Sequence, residues 1–135
     1  MIKITDKPIP PELVVGRVKT DNSGCVVAYI GLIREYSQGK QVLSVEYKDP
    51  ERTAEISLRK IAGEARQKWR VENIAIHHRT GKLKVGDINL VIAVASAHRQ
   101  EGFAACQYII DRFKQMMPAC KKETYHDGNV CIEGK

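Results

Sequence analysis

Apolar side chains in the last third of the chain recur at spacings of three and four residues, which predicts an amphipathic helix. Ser96 is expected to cap the start of this helix. Pro118 is expected to end it, because proline lacks the backbone donor that a further turn requires. The side chains predicted to face the core are Phe103, Cys106, Ile110, Phe113 and Met117.

A second helix is predicted in the middle of the chain. Asp49 is in position to cap it, and Pro50 suits its first turn. Acidic and basic residues are mixed between its apolar positions, which is typical of a helix face exposed to solvent. The predicted buried stripe comprises Ala54, Leu58, Ile61, Ala65 and Trp69.

Strands are predicted for much of the remaining chain. Gly81 and Gly86 bracket a tight connection between two of them, and Asp127-Gly128 marks a hairpin turn near the C-terminus. Together with the two helices, these segments predict an α+β fold in which two main helices pack on a largely antiparallel sheet. The predicted strands cover residues 25–33, 42–47, 71–78 and 88–95.

The composition predicts one compact domain. With 135 residues, of which 43% are hydrophobic, the chain is expected to fold as a single domain over residues 1–135. Its longest apolar stretch, residues 25–33, is far shorter than the ~18 residues expected of a membrane-spanning helix. The segment after Met1 lacks the apolar core of a secretory signal. A cytoplasmic protein that does not enter the membrane is therefore predicted.

The four cysteines do not predict a metal site, because no two of them have Cys-x-x-Cys spacing. Cys25 and Cys106 lie inside strand and helix patterns and are expected to act as small buried hydrophobic residues. A contact between Cys120 and Cys131 across the C-terminal hairpin remains open.

Basic side chains cluster around the two ends of the C-terminal helix. His98 and Arg99 fall in its first turn, where the helix dipole disfavours a cation by roughly 0.3–1 kcal/mol, so an anionic ligand would account for them. Lys114 borders the apolar face of the helix. Lys121 and Lys122 follow in an extended segment, in which only one of the two can face a shared pocket. Taken singly, each residue also fits an ordinary surface role.

The order of these residues resembles a known family, the large, catalytic subunit of molybdopterin synthase. The resemblance covers about residues 26–128 and depends on four ordered blocks with compatible spacing. Cys120 and Cys131 depart from it, since the family usually has aromatic residues at these positions. The blocks that carry the resemblance are Val27 to Arg34, His78 to Asp87, Val94 to Arg99 and Cys106 to Glu123.

The resemblance implies the family's α+β hammerhead fold and a sulfurtransferase activity. The family converts a cyclic pyranopterin monophosphate (precursor Z) to molybdopterin. Two sulfurs are needed per product, and they come from the thiocarboxylated C-terminal Gly-Gly of a small ubiquitin-like subunit. The scheme requires no metal and no organic cofactor. It also implies a homodimer of large subunits with a small subunit docked at each end, which makes a heterotetramer.

Carried over residue by residue, the resemblance assigns catalytic roles to Lys114 and Lys121. Lys121 is expected to transfer protons or stabilise charge, and Lys114 to lie beside the entering thiocarboxylate. His78 belongs to one of the blocks but receives only a structural role. The substrate-binding residues that the resemblance implies are Tyr29, Arg34, His98, Arg99 and Lys122.

Two alternatives remain open from the residues alone. The net charge of +6 would suit a nucleic-acid-binding module that uses residues 52–70, although only 6% of the residues are aromatic and no stacking platform is visible. Such a module would lose affinity steeply with salt. A non-catalytic scaffold for a ubiquitin-like partner would instead tolerate loss of Lys114 and Lys121.

Overall fold

The computed structural model describes residues 1–116, 120–128 and 130–133. Within these residues, three helices and nine strands form an α+β fold, so the predicted fold class is confirmed. The elements in chain order are β1 (Ile2–Thr5), α1 (Pro11–Val18), β2 (Cys25–Leu32), β3 (Tyr36–Ser37), β4 (Lys40–Lys48), α2 (Ala54–Lys68), β5 (Asn73–Arg79), β6 (Gly81–Lys84), β7 (Ile88–Ser96), α3 (Arg99–Met116), β8 (Cys120–Tyr125) and β9 (Val130–Glu133).

The first sheet has the strand order β1-β5-β7-β2 and lies between helices. β1 pairs with β5 in parallel, and the other two pairings are antiparallel. Leu90, Ile92 and Val94 of β7 pack with α2 and α3 on one face, whereas Val91 and Ala93 pack with α1 on the other. β7 is therefore apolar on both faces. The short helix α1 was not predicted from the sequence, and it covers part of the apolar surface that two helices leave open.

The second sheet is antiparallel and is built around β4. Val45 of β4 lies between Leu83 of β6 and Glu123 of β8, and β9 pairs with the outer side of β8. Gly81 and Gly128 both have φ near +90°, at +94° and +87°, a conformation that glycine adopts without steric cost. The predicted C-terminal hairpin is thus confirmed. The tight connection predicted between Gly81 and Gly86 is wrong, because this segment contains β6, a strand that pairs with β4 in the second sheet.

The start of α3 differs from the prediction. The helix begins at Arg99, whereas Ser96 is the last residue of β7 and its hydroxyl donates to the His98 carbonyl at 2.7 Å. Ser96 therefore does not cap the helix. Phe103, predicted to be buried, is 61% exposed.

Phe103 is exposed because small residues make the contact between α3 and the sheet. A Cβ at Gly102 would lie 3.1 Å from Val27 and 2.8 Å from the Ser96 hydroxyl, so this face of the helix approaches β2 closely. Cys106 and Phe113 are buried as predicted, whereas the first part of the buried face was assigned wrongly, because glycine and alanine did not count as apolar positions. The residues actually buried are Gly102, Ala105, Cys106, Ile109 and Phe113, and Met117 and Pro118 lie outside the described residues.

The start of α2 follows the prediction more closely. Both carboxylate oxygens of Asp49 accept backbone N–H groups, from Thr53 at 3.1 Å and from Ala54 at 3.3 Å. Pro50 lies in the turn between Asp49 and the helix, outside the first helical turn. Trp69 follows the helix and is only partly buried against the core. The other four positions of the predicted stripe are buried.

Candidate functional site

The direction of α3 across the first sheet decides which basic residues lie near one another. At its start, Gly102 packs against Cys25 and Val27, close to the beginning of β2. Near its end, the Phe113 ring contacts the ring of His78, with 5.1 Å between centroids. α3 therefore runs across the first sheet from the start of β2 towards His78 in β5.

Across the first sheet, His78 of β5 is level with the C-terminal end of β2. It pairs with Leu90, and Leu90 pairs with Gly31. Arg34 follows β2 three residues beyond Gly31 and is exposed. Lys114, also exposed, follows Phe113 on α3. The structure thus places Arg34 and Lys114 at the same end of the first sheet.

His98 and Arg99 lie at the opposite end. The Gly24 N–H donates to the Ser96 carbonyl at 2.9 Å, which holds the start of α3 beside the start of β2. At a rise of 1.5 Å per residue, Arg99 and Lys114 are separated by about 22 Å along α3. Within one chain, the predicted site residues therefore form two separate groups.

Lys121 belongs to the group that contains Lys114. It lies opposite Tyr47 in the pairing of β8 with β4, and directly paired residues project to the same face of a sheet. The Tyr47 ring is in edge contact with His78, at 5.1 Å between centroids, and His78 in turn contacts Phe113. Lys121 is therefore paired with the first of three rings, Tyr47, His78 and Phe113, whose contacts lead to the end of α3.

A buried carboxylate neighbours Lys121. Glu123 is 6% exposed and accepts hydrogen bonds from Ser37 and Tyr125, both at 3.2 Å. The Lys121 ammonium lies 3.9 Å from the second Glu123 oxygen. Burial, followed by the charge of Glu123, raises the pKa of Tyr125, so its phenol keeps the proton that it donates. The carboxylate restricts the position of the Lys121 ammonium.

Lys122 faces away from this group. It pairs with Glu46 of β4, so its side chain lies on the opposite face of the second sheet from that of Lys121. The sequence had indicated that only one of the two lysines can face a shared pocket, and the register identifies Lys121 as the one beside Tyr47. The predicted contribution of Lys122 to substrate binding stays a prediction.

Tyr29 lies on the helix-facing side of β2. It pairs with Ile92, is partly buried against the core, and its ring would be 3.2 Å from a Cβ at Gly31. Ile33, which precedes Arg34, is held by hydrogen bonds to the turn at Gly86 and Asp87, of 2.8 and 3.0 Å. The backbone at Arg34 is thus fixed beside the connection between β6 and β7.

The rings around His78 form the junction between the two sheets and α3. His78 is 1% exposed, and its Nδ1–H donates to the Asn89 carbonyl at 3.0 Å. Its Nε2 is buried and has no hydrogen-bond partner among the residues that the structure describes. Burial lowers the pKa of His78, so the ring is neutral. Sequence reasoning missed Tyr47 and Glu123, because neither position carries a signal of the contacts it makes.

The buried histidines predict how stability depends on pH. Burial lowers the pKa of both His77 and His78 below 6.5, so the unfolded chain takes up protons first as the pH falls. The free energy of unfolding is therefore expected to be constant above pH 6.5 and to decrease below it. Chemical denaturation at pH 5, 6 and 7 measures this slope. His78→Phe, which keeps a ring between Tyr47 and Phe113, should reduce it.

His98→Ala is the matched control for that measurement. His98 is exposed, so a change of slope that is confined to His78→Phe assigns the slope to the buried ring. An equal slope in His78→Phe would show that His78 is not buried as a neutral ring.

The cysteines form no disulfide within the described part of the chain. Burial raises the pKa of Cys106 to about 11, which keeps it an unreactive thiol. Cys131 is a free thiol. In the pairing of β9 with β8 it lies opposite Glu123, three residues along β8 from Cys120. The register does not place these two cysteines opposite each other. Across residues 1–116, 120–128 and 130–133, no group of three His, Cys, Asp or Glu side chains could hold a metal ion.

A cavity of about 730 Å³ opens next to Tyr47. Its lining combines apolar side chains with polar and charged ones, as in many small-molecule sites. It lies where the end of β1, the end of β4 and the start of α2 meet. The residues that line it are Ile4, Tyr47, Lys48, Asp49, Pro50, Arg52, Glu55 and Thr80.

Comparison with known proteins shows which family the chain is similar to. The profile of a family described as "MoaE protein" matches residues 4–116. A "Molybdopterin synthase catalytic subunit" of Bacillus subtilis is 38% identical over 130 residues, which cover 96% of this chain and 83% of that protein. A crystal structure of molybdopterin synthase from Staphylococcus aureus superposes with a TM-score of 0.90 at 33% identity, covering 98% of this chain and 96% of the other.

A third similarity concerns the fold alone. A complex of subunits 1 and 2 of molybdopterin-converting factor from Helicobacter pylori contains a chain that superposes with a TM-score of 0.75 at 15% identity, over 93% of this chain and 86% of that one. Along the described residues, no helix has the length and apolar character needed to cross a membrane.

Proposed function

The chain belongs to the MoaE family, and on that basis we propose that it is the catalytic subunit of a molybdopterin synthase, acting in the cytoplasm as a single domain over residues 1–135. It converts a cyclic pyranopterin monophosphate to molybdopterin by sulfur transfer. The observation that carries the proposal is the convergence of Lys114, Lys121 and Arg34 at one end of the first sheet, in a chain that matches the family along residues 4–116.

The chemistry of the reaction explains the basic residues. Both reactants are anions, since the pterin carries a phosphate and the sulfur donor is a thiocarboxylate. Lys121 transfers protons or stabilises charge as the phosphate ring opens and carbon–sulfur bonds form, and Lys114 lies beside the thiocarboxylate. Arg34 contributes anion binding from the same end of the sheet. Tyr29 forms part of the substrate pocket. The scheme needs no metal or organic cofactor.

His98 and Arg99 complete the site from a second copy of the chain. They lie about 22 Å from Lys114 within one chain. β2 pairs only with β7 among the described strands, and it exposes Ile30 by 44% and Leu32 by 59%. Antiparallel pairing of two β2 strands about a two-fold axis would bring the start of one strand beside the end of the other. His98 and Arg99 of one copy would then approach Arg34 and Lys114 of the other.

The sulfur donor is a small ubiquitin-like subunit that ends in Gly-Gly. The relatives are named catalytic subunits, which implies a second subunit in the enzyme. Two glycines can enter a narrow channel, because they carry no side chains. A small subunit docked on each large subunit of a homodimer gives a heterotetramer.

Reconstitution tests this function directly. The purified chain, mixed with a thiocarboxylated small subunit and the cyclic pterin monophosphate, is expected to form molybdopterin. Removal of the terminal Gly-Gly from the small subunit should abolish sulfur transfer and weaken docking by less than about tenfold, because the globular contact remains. Product formation and subunit affinity are measured separately, by chromatography of the pterin and by calorimetric titration.

The control is the full-length small subunit with an ordinary C-terminal carboxylate, which should dock normally and transfer no sulfur. Failure of the authentic thiocarboxylated subunit to give product would overturn the enzyme assignment. Turnover with the trimmed subunit would overturn the proposed entry of the tail.

The two alternatives are not favoured. On α2, Arg59 pairs with Glu55 at 3.7 Å, and Glu64 pairs with Arg112 of α3 at 3.1 Å. The charges along residues 52–70 are thus mixed and partly paired, which is unlike a continuous basic stripe for nucleic acid. A scaffold without activity does not account for relatives that are named catalytic subunits.

A further inference from the structure

The buried carboxylate beside Lys121 accepts both of its hydroxyl donors on one oxygen. Oε1 of Glu123 accepts from the Ser37 hydroxyl and from the Tyr125 hydroxyl, each at 3.2 Å. The other oxygen, Oε2, is the one that lies 3.9 Å from the Lys121 ammonium. Because Glu123 is only 6% exposed, its orientation depends on these contacts more than on solvent. The two hydroxyls thus direct Oε2 towards Lys121.

The two hydroxyl donors come from different parts of the chain. Tyr125 lies on β8 together with Glu123, two residues further along, so its contact stays within one strand. Ser37 belongs to the two-residue strand β3, is separated from Glu123 by 86 residues in sequence, and is buried. β3 and β8 both border β4 and are not neighbours in the second sheet. The hydrogen bond from Ser37 to Glu123 therefore joins two strands that no backbone pairing connects.

The short segment that carries Arg34 is fixed at both of its ends. At its start, Ile33 is held by backbone hydrogen bonds to the turn before β7. At its end, the Ser37 side chain reaches Glu123. Arg34 is exposed and lies three residues before Ser37, so the position of its guanidinium depends on this backbone. A displacement of Ser37 would therefore reach Arg34 along the chain and Lys121 through the carboxylate.

We propose that Ser37 is a positioning residue for sulfur transfer, whose hydroxyl holds the Glu123 carboxylate against Lys121 and ties the segment of Arg34 to β8. The inference rests on the proposed function and adds a residue that acts through Glu123 and Arg34 and not on the substrate itself. A hydroxyl that donates to a carboxylate makes a stronger hydrogen bond than one between neutral groups, which suits it to fix an orientation. Ser37 thereby keeps the anion-binding arginine and the lysine in one arrangement.

The test is Ser37→Ala, which removes the hydroxyl donor and little volume. We expect kcat to fall about fivefold and the KM for the cyclic pterin to rise about fivefold, within the range of one lost hydrogen bond. Tyr125→Phe removes the other donor to the same oxygen but leaves the segment of Arg34 tied to Glu123. It should lower kcat to a similar extent and keep the KM within about twofold of the unchanged enzyme.

Ser44→Ala is the matched control. Ser44 is buried on β4 and pairs with Thr124, so its side chain faces away from Glu123. This variant also loses a buried hydroxyl from the second sheet, yet kcat and both KM values should stay within about twofold of the unchanged enzyme. A role of Ser37 in stability alone would make the two variants alike in their kinetics, and that result would overturn the proposal.

Acetylation of Lys121 in the purified full chain reports its position without turnover. Lys122, exposed on the opposite face of the same strand, is the internal reference, and mass spectrometry gives the ratio of the two labelling rates. Ser37→Ala should raise the ratio of Lys121 to Lys122 labelling about threefold, because the carboxylate holds the lysine less closely, whereas Ser44→Ala should not change it.

This measurement works even where sulfur transfer fails, so failure of the proposed function and failure of this inference give different results. An unchanged labelling ratio in Ser37→Ala would overturn the proposal. A raised ratio with an unchanged kcat would also overturn it, because the position of Lys121 would then not depend on Ser37 in a way that matters for the reaction.

Discussion

Lys114→Ala and Lys121→Ala are each expected to lower turnover by at least about 100-fold, the usual size of a lost general acid–base or charge-stabilising group. Neither side chain fills the core, since Lys114 is exposed and the Lys121 side chain is 28% exposed, so both variants should stay folded. Molybdopterin formation with the thiocarboxylated small subunit gives the activity. Circular dichroism and melting temperature give the fold.

Three further variants make this result specific. Lys60→Ala removes an exposed lysine from α2 and should leave turnover unchanged. Lys122→Ala should have a much smaller effect than Lys121→Ala, because Lys122 lies on the opposite face of the sheet. Lys121→Arg should restore little activity, since a guanidinium does not release its proton. Near-normal turnover by either lysine-to-alanine variant, with docking intact, would remove that lysine from the mechanism.

Mixed dimers should recover activity that each parent variant lacks. The double variant His98→Ala/Arg99→Ala and the variant Lys114→Ala are each expected to be nearly inactive as homodimers. If each site takes His98 and Arg99 from one copy and the lysines from the other, a mixed dimer has one intact site of two and should show about half of the normal activity. Co-expression with two different tags and tandem purification yields the mixed dimer.

A mixed dimer of Lys114→Ala with Lys121→Ala is the control. Both lysines come from the same chain in this arrangement, so neither site is intact and no activity should return. No recovery in the first mixed dimer would show that each chain builds its own site, and recovery in the control would show that the two lysines of one site come from different chains. Light scattering that shows a monomer at micromolar concentration would contradict the shared site altogether.

The sequence predicted the elements of the core better than their ends. The stripe of α2 and the strand 88–95 were recognisable because large apolar residues recur at the helical or strand period. Cys106 and Phe113 of α3 were recognised in the same way. The first part of its buried face was not, since it depends on Gly102 and Ala105, whose small size permits close packing and leaves no hydrophobic signal. Phe103 was consequently assigned to the core although it is 61% exposed. The helix α1 was missed because it is only eight residues long.

The sequence by itself determined the α+β class and, through the order of its motifs, the family and its expected lysines. The positions of these residues relative to one another depended on the tertiary structure. The direction of α3 separates Arg99 from Lys114 by about 22 Å. The register of β8 with β4 selects Lys121 over Lys122 as the lysine beside Tyr47. Strand register and helix direction follow from long-range packing, which neighbouring residues in the chain do not encode.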